Sequence, residues 1–275
     1  MITGTSSGFG ELAALGFARA GHRVVATMRN LDKGERLLKA ASAEGLDIIL
    51  VRLDVNDESS VRGAVEEAEG LVGPLEIVVN NAGIELRGPV ELCSEAEVRA
   101  QFDTNVFGPL RVIRAVVPGM RERDSGVVVN VGSIAGLVSR PFGGLYAATK
   151  HAVEAITDAL HYELKGFGVR VAVVEPGQYA TSLLDNATEA AAFAPDSPYR
   201  VSADEFDVKV RTLNPGGELA DPHEVADAII RVATDPEAPV HTLLGADAHL
   251  IMDARAQGDF EAFEQTMRTV LDWWT

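Results

Sequence analysis

The stretch that decides the fold is Thr3-Gly4-Thr5-Ser6-Ser7-Gly8-Phe9-Gly10, a glycine-rich loop that opens directly into an apolar helical pattern. Glycines at this spacing let the backbone turn tightly and approach a pyrophosphate closely. The following helix would point its free amide groups and the positive end of its dipole at that phosphate. A glycine loop alone is weak evidence, so its weight depends on the rest of the chain.

Short β-rich runs alternate with longer helical patterns after this loop. Strands are predicted over 23–28, 47–53, 75–79, 127–131 and 169–174. Helices are predicted over 31–43, 58–71, 145–166 and 221–234. The last of these has Asp221 as N-cap and Pro222 as its first residue. Residues 94–121 show two helical patterns that meet near Pro109. This alternation predicts an α/β protein, a single Rossmann-like domain with a doubly wound parallel sheet.

Composition excludes several classes of function. The 275 residues carry a net charge of −17, because 24 Lys and Arg face 41 Asp and Glu. That charge argues against nucleic acid or an anionic membrane as partner. The single cysteine, Cys93, fits a reducing compartment, and no apolar run approaches the ~18 residues that a membrane span needs. We therefore expect a cytoplasmic protein that acts on a small molecule.

A second motif, Tyr146-Ala-Ala-Thr-Lys150, places a tyrosine and a lysine on the same helix face. Ser133 follows the valine-rich strand, and Asn105 lies in the preceding helical region. A free tyrosine has a pKa near ~10, and a cation ~4 Å away contributes roughly 4 kcal/mol at an effective dielectric of ~20. We expect Lys150 to lower the pKa of Tyr146, making it an acid and base near neutral pH.

Together these motifs resemble the short-chain dehydrogenase/reductase family over nearly the whole chain. The resemblance implies a carbonyl or alcohol substrate and a catalytic set of Asn105, Ser133, Tyr146 and Lys150. It also implies a cofactor site at Gly4, Ser6, Ser7, Gly8, Phe9, Arg29, Asp54, Asn81, Ala82, Gly83, Tyr146, Lys150, Pro176, Gly177 and Thr181. Asn105 could instead mark a helix kink, and the Asn80-Asn81 turn could serve mainly backbone groups.

The end of the second strand predicts the choice of nucleotide. An acidic residue at position 28 would favour NAD, but this position holds the neutral Met28, and Arg29 follows it. A guanidinium there can pair with a 2′-phosphate, so we expect NADP(H), with NAD possible. The alternative is a solvated surface arginine, since Thr5–Phe9 offers no second basic residue. No H-E-x-x-H or Cys/His cluster occurs, and we expect no catalytic metal.

The C-terminal third is expected to determine the substrate. Residues 182–220 are predicted to form a lid, and 258–275 a C-terminal helix with Phe260, Phe263, Met267, Val270, Leu271 and Trp274 at helical spacing. That helix could pack on its own subunit, form a dimer contact or cover an apolar substrate. A weaker resemblance to 17β-hydroxysteroid and retinol dehydrogenases favours a bulky apolar secondary alcohol or ketone. The alternatives are a 3-oxoacyl reductase and an NADP(H)-binding sensor or truncated pseudoenzyme without turnover.

The N-terminus departs from the family pattern. Only Met1 and Ile2 precede Thr3, where relatives carry a complete central strand. We expect the first strand to be essentially missing, which would leave two strand edges unpaired, and a truncated gene product is favoured over a genuine variant. The family resemblance also implies a homodimer or homotetramer, paired through the helices near 107–121 and 145–166.

Overall fold

The protein is described by a computed structural model that covers residues 1–181 and 187–273. Its strands are β1 Ile2–Thr3, β2 Val24–Met28, β3 Ile48–Arg52, β4 Ile77–Asn80, β5 Leu86–Arg87, β6 Gly126–Val131, β7 Val169–Pro176, β8 Thr188–Glu189 and β9 His241–Leu244. Its helices are α1 Gly8–Arg19, α2 Glu35–Glu44, α3 Glu58–Val72, α4 Glu95–Phe102, α5 Gly108–Glu122, α6 Gly144–Leu164, α7 Arg200–Arg211, α8 His223–Thr234, α9 Ala246–Arg255 and α10 Phe260–Leu271.

Seven strands form one parallel sheet in the order β3-β2-β1-β4-β6-β7-β9. Successive residues along each strand face opposite layers of helices, so both faces are buried and the strands are almost wholly apolar. Val79 packs toward α1, α2 and α8, while Val78 packs toward α3 and α5. The predicted doubly wound Rossmann-like sheet is confirmed.

The first strand is short but present, so the expectation of a missing strand needs correction. Ile2 lies between Ala26 of β2 and Val79 of β4 and pairs in parallel with both. The carbonyl of Met1 also accepts a hydrogen bond from the amide of Val79 at 2.9 Å. Met1 and Ile2 thus join strands β3 and β2 on one side to β4, β6, β7 and β9 on the other, directly before the glycine loop.

The segment predicted as a lid contains regular structure. Residues 182–186 lie outside the described part of the chain, but β8 pairs with β5 and α7 packs its Ala203 and Phe206 inward. The helix predicted from Asp221 begins two residues later, at His223, because the Asp221 carboxylate accepts the amide of His223 in a turn.

The C-terminal region also differs in detail from the prediction. The helix α9, which directly follows β9, escaped the sequence analysis. The helix predicted over 258–275 spans Phe260–Leu271, with the Asp259 side chain capping its first turn; Trp274 lies outside the described residues. Within the described ranges, no helix is long and apolar enough to cross a membrane.

Candidate active site

A cavity of about 970 Å³ opens at the carboxyl ends of the parallel strands, where such sheets place their ligands. The residues predicted to hold the cofactor all contribute to its wall: Gly4, Ser6, Ser7, Gly8, Phe9, Arg29, Asp54, Asn81, Ala82, Gly83, Tyr146, Lys150, Pro176, Gly177 and Thr181. Ser133 lines the same cavity, so the fold brings the two sequence motifs together in one site.

The glycine loop takes its shape from residues without side chains. Gly4 and Gly8 have φ angles of +71° and +61°, in the left-handed region that favours glycine. The Asn81 side chain donates to the carbonyls of Thr3 and Gly4 at 2.9 and 3.0 Å, which fastens the loop to the end of β4. A Cβ at Gly10 would stand 2.4 Å from the Asn81 Nδ2 atom, so this contact requires glycine.

The first turn of α1 faces the cavity with its amide groups available. Ser7 is the N-cap residue, but its side chain makes no capping hydrogen bond. A helix N-terminus with free amides and no capping side chain is suited to a phosphate. The loop and helix therefore form a cradle that fits the pyrophosphate of a dinucleotide.

Tyr146 and Lys150 project from the first turns of α6 into the cavity, and both are buried. The Lys150 Nζ donates to the carbonyl of Val131 at 2.7 Å and lies 5.7 Å from the centroid of the Tyr146 ring. The Ser133 hydroxyl accepts the amide of Ala135 at 3.1 Å and lies within hydrogen-bonding reach of Tyr146. A substrate oxygen placed between Ser133 and Tyr146 would meet two hydroxyl groups.

The electrostatics of Tyr146 correct the sequence expectation. Burial, followed by the negative charge of Glu85, raises the pKa of Tyr146 above its ordinary value, and Arg140 and the Ser133 hydrogen bond only partly oppose this. Lys150 is not among the groups that shift the pKa of Tyr146. Burial lowers the pKa of Lys150 itself to about 8. The expected lowering of the tyrosine pKa by Lys150 is therefore not seen in the cofactor-free protein.

Asn105 lies in a π-helical turn, Asp103–Phe107, between α4 and α5, a feature often found at functional sites. Its side chain accepts the Ile84 amide at 2.9 Å and donates to the Ile84 carbonyl at 2.8 Å. It also donates to the Thr149 hydroxyl at 3.1 Å, one residue before Lys150. Asn105 is not among the residues lining the cavity. It ties the loop after β4 to α6 from outside the cavity lining, and its predicted catalytic role stays a prediction.

Several charged residues at the site escaped the sequence analysis. Glu85 and Arg140 form an ion pair in the cavity wall beside Tyr146. Lys33 joins Arg29 at the end of the cavity near Met28. No recognisable sequence motif surrounds Glu85, Arg140 or Lys33, so only the fold shows that they line the cavity.

Asp247, at the start of α9, is a further residue that the sequence analysis missed. It is fully buried and lines the cavity beside the Pro176-Gly177 turn. One carboxylate oxygen accepts the amide of Gln178 at 2.9 Å, while the other has no hydrogen-bond partner among the described residues. A Cβ at Gly177 would lie 2.1 Å from this carboxylate. Asp247 therefore fixes the turn that closes one end of the cavity.

The wall of the cavity away from the glycine loop is largely apolar, although Asp247, Glu264 and Arg268 also line the cavity. It is built by α7, α9 and α10 and includes Phe206, Val210, Leu213, Ile251, Phe260, Phe263, Met267, Leu271 and Trp273. The Phe206 and Trp273 rings pack edge to face with centroids 5.0 Å apart. The C-terminal helix packs on its own chain through Met267 and Leu271, which is one of the three predicted possibilities, and it also lines this internal space.

Comparison with known proteins agrees with this geometry. Residues 1–192 match the family model described as short chain dehydrogenase. The uncharacterized oxidoreductase YusZ of Bacillus subtilis is 37% identical over 240 residues, which cover 85% of this chain and 84% of that protein. Human retinol dehydrogenase 8 is 40% identical over 185 residues, or 66% of this chain and 58% of the relative.

Among solved structures, the chain is similar to a gluconate 5-dehydrogenase from Burkholderia cenocepacia J2315 in complex with NADP and tartrate. The TM-score is 0.77 at 28% sequence identity, covering 90% of this chain and 94% of the other.

Proposed function

The chain belongs to the short-chain dehydrogenase/reductase family and is an NAD(P)-dependent oxidoreductase, and we propose that it interconverts a secondary alcohol and a ketone by hydride transfer with NADP(H). The observation that carries this proposal is the position of Ser133, Tyr146 and Lys150 in the same cavity as the glycine loop. A proton donor and a dinucleotide cradle must share one space for this reaction.

The proposed chemistry divides between the cofactor and the side chains. The nicotinamide supplies or accepts the hydride. Tyr146 gives a proton to the substrate oxygen in reduction and removes it in oxidation, while Ser133 donates a hydrogen bond that stabilises the developing charge. Lys150 would release the Val131 carbonyl and turn to the ribose, where its ammonium group lowers the pKa of Tyr146.

NADP(H) is the proposed cofactor because two basic residues close after the end of β2 line the cavity and could bind a 2′-phosphate. Arg29 and Lys33 line the same end of the cavity, and neither is among the residues with an ion pair in the described part of the chain. Met28 places no carboxylate there. The NADP bound in the similar gluconate 5-dehydrogenase structure supports the same choice.

A bulky apolar substrate is favoured by the wall formed by α7, α9 and α10. Its aromatic and aliphatic side chains would cover a molecule held against Ser133 and Tyr146. Retinol, named in the human relative, is an apolar molecule of this kind. In this proposal, residues 187–220 and α10 act together as the substrate-covering region.

We also infer that two chains pair through α5 and α6. Phe107, at the start of α5, and Tyr162, near the end of α6, are exposed aromatic side chains on these helices. Covering such side chains in a dimer would remove apolar surface from water. Sedimentation of the chain should show a dimer or tetramer, and a monomer at micromolar concentration would contradict it.

The test of the proposed function is turnover by a Tyr146→Phe variant across a panel of apolar ketones with NADPH. Loss of the hydroxyl should reduce kcat by at least about a thousandfold while NADPH binding, followed by cofactor fluorescence, stays nearly unchanged. Tyr162→Phe, on the same helix but outside the cavity lining, keeps the aromatic ring for the proposed pairing surface; it is the matched control and should keep full activity. Turnover that survives Tyr146→Phe would contradict the mechanism.

A cofactor-binding protein without turnover is the competing function. It would bind NADPH yet reduce nothing in the panel, with wild type and Tyr146→Phe equally inactive. One ketone reduced by the wild type and not by the variant excludes it.

A further inference from the structure

A group of side chains outside the cavity has the composition of a metal site. Glu154 lies on α6, Glu175 on β7 and His241 at the start of β9, and one ligand atom from each lies within 4.8 Å of the others. None of the three is among the residues that line the cofactor cavity. None of the three therefore contacts the cofactor or substrate in the proposed reaction, although the charge of Glu154 acts on Lys150 from outside the cavity.

Glu154 has a buried carboxylate that accepts no hydrogen bond from a described donor, with His241 and Glu175 as its neighbours in the cluster. It is 7% exposed, and neither of its oxygens has a hydrogen-bond partner in the described part of the chain. Gly132 and Gly136 make room for it, since a Cβ at either would lie 2.4 or 2.7 Å from Glu154 Oε1. An unpaired buried carboxylate is costly, so a proton or a cation must neutralise it.

The histidine is oriented toward this carboxylate. His241 Nε2 contacts Asp158 at 2.8 Å, and its Nδ1 faces Glu175 at 2.9 Å and Glu154 Oε2 at 3.7 Å. A carboxylate that holds one ring nitrogen while the other points to acidic ligands is the usual arrangement around a metal-bound histidine. Asp158 would be the outer partner, with Glu154 and Glu175 as ligands.

The separations suit a small tetrahedral ion. Ligand atoms ~2.0–2.2 Å from zinc are about 3.4 Å from each other, and the observed 2.9 and 3.7 Å lie on either side of this value. We propose that Glu154, Glu175 and His241 form a binding site for a divalent ion of the zinc type, with water as fourth ligand. A nitrogen ligand beside two carboxylates favours zinc over magnesium or calcium.

The cluster joins separate elements of the fold. Zinc held by Glu154, Glu175 and His241 would link α6, which carries Tyr146, to β7 and to the edge strand β9.

The experiment is calorimetric titration of EDTA-treated, cofactor-free protein with ZnCl2 at pH 7.5, with MgCl2 for comparison. We expect one zinc per chain, a higher melting temperature with zinc and no comparable effect of magnesium. His241→Gln and Glu154→Gln should each weaken zinc binding at least about tenfold. His223→Gln removes an exposed histidine paired with Asp221 at 2.7 Å, and it should bind zinc like the wild type.

The test does not depend on whether the Glu154→Gln variant folds. Because His241 is partly exposed, His241→Gln should fold even if Glu154→Gln does not. Circular dichroism checks each variant. Absence of one-to-one zinc binding by the wild type overturns the proposal and leaves the proton as the neutralising group. Equal zinc affinity in wild type and His241→Gln also overturns it, since the ion would then bind elsewhere, for example at Cys93. Neither outcome depends on turnover, so the proposed oxidoreductase activity stands or fails separately.

Discussion

Glu85 and Arg140 form an ion pair in the cavity wall, and their charges act on Tyr146 in opposite directions. Glu85 raises the pKa of the tyrosine, whereas Arg140 lowers it. The Glu85 carboxylate is nearly fully buried, while the Arg140 side chain is about one-third exposed. Because the Glu85 carboxylate is buried, water screens its charge less than that of Arg140. Its effect on the pKa of Tyr146 is therefore the stronger of the two.

Replacing Glu85 by Gln should move the pH profile of the enzyme to lower pH. The change removes the charge that raises the pKa of Tyr146 and leaves Arg140 unpaired to lower it further. Alcohol oxidation needs the deprotonated tyrosine, so its rate should reach half-maximum at a lower pH than in the wild type. Arg140→Met should shift the same curve upward, and shifts in the same direction would contradict this account.

The cofactor end of the cavity yields a prediction about nucleotide choice. Arg29→Ala should weaken NADPH binding by about tenfold or more, because a charged hydrogen bond to the 2′-phosphate is lost, and should hardly affect NADH. Lys33→Ala should have a smaller effect of the same kind. Lys39→Ala, on α2 and outside the cavity lining, is the control. Equal losses for NADPH and NADH would show that Arg29 does not contact the phosphate.

The features that could be predicted from the sequence alone are those whose residues lie close together in the chain. The glycine loop, the Tyr146–Lys150 pair and the alternating strands are each encoded within a few residues, where helix and strand periodicity determines which side chains share a face. The two-residue strand β1 could not be predicted in this way, because Ile2 and Thr3 are too few to show a strand pattern and are recognised only by their pairing with β2 and β4. The alternation of the longer strands and helices, in contrast, needed no tertiary information.

The charged groups could not be predicted, because their partners are distant in sequence. Glu85 and Arg140 are 55 residues apart, and Glu175 and His241 are 66 apart. The helix α7 was missed for a related reason. Only Ala203 and Phe206 of its twelve residues are buried, so its apolar pattern is too sparse to stand out from the Pro- and Gly-rich segment around it.

The hydrogen bonds of the Asn105 side chain predict how much this residue contributes to the free energy of unfolding. Asn105→Ala leaves the amide and carbonyl of Ile84 without their side-chain partner, at a cost of about 1–3 kcal/mol for each group that stays buried. Urea unfolding should show this loss. Asn105→Asp keeps the acceptor for the Ile84 amide but places a buried carboxylate oxygen against the Ile84 carbonyl, so it should be destabilised at least as much. An Asp variant clearly more stable than the Ala variant would mean that the bond to the Ile84 carbonyl contributes little.

Gly10 gives the last prediction, because its Cβ would meet the two groups that hold the glycine loop. In Gly10→Ala the new methyl would lie 2.4 Å from Asn81 Nδ2 and 2.6 Å from the Gly4 carbonyl, so the Asn81 clamp must open. We expect a loss of about 1–3 kcal/mol in the free energy of unfolding and at least about tenfold weaker NADPH binding.

Gly63→Ala is the matched control for Gly10→Ala. Gly63 lies inside α3, and a Cβ there meets no atom within 4 Å. Because alanine is the better helix former, this variant should be more stable by up to about 1 kcal/mol and should bind NADPH normally. Thermal unfolding and fluorescence titration of the two variants together measure both effects. If Gly10→Ala retained wild-type NADPH affinity, the loop would not require the close approach of Asn81 to bind the cofactor.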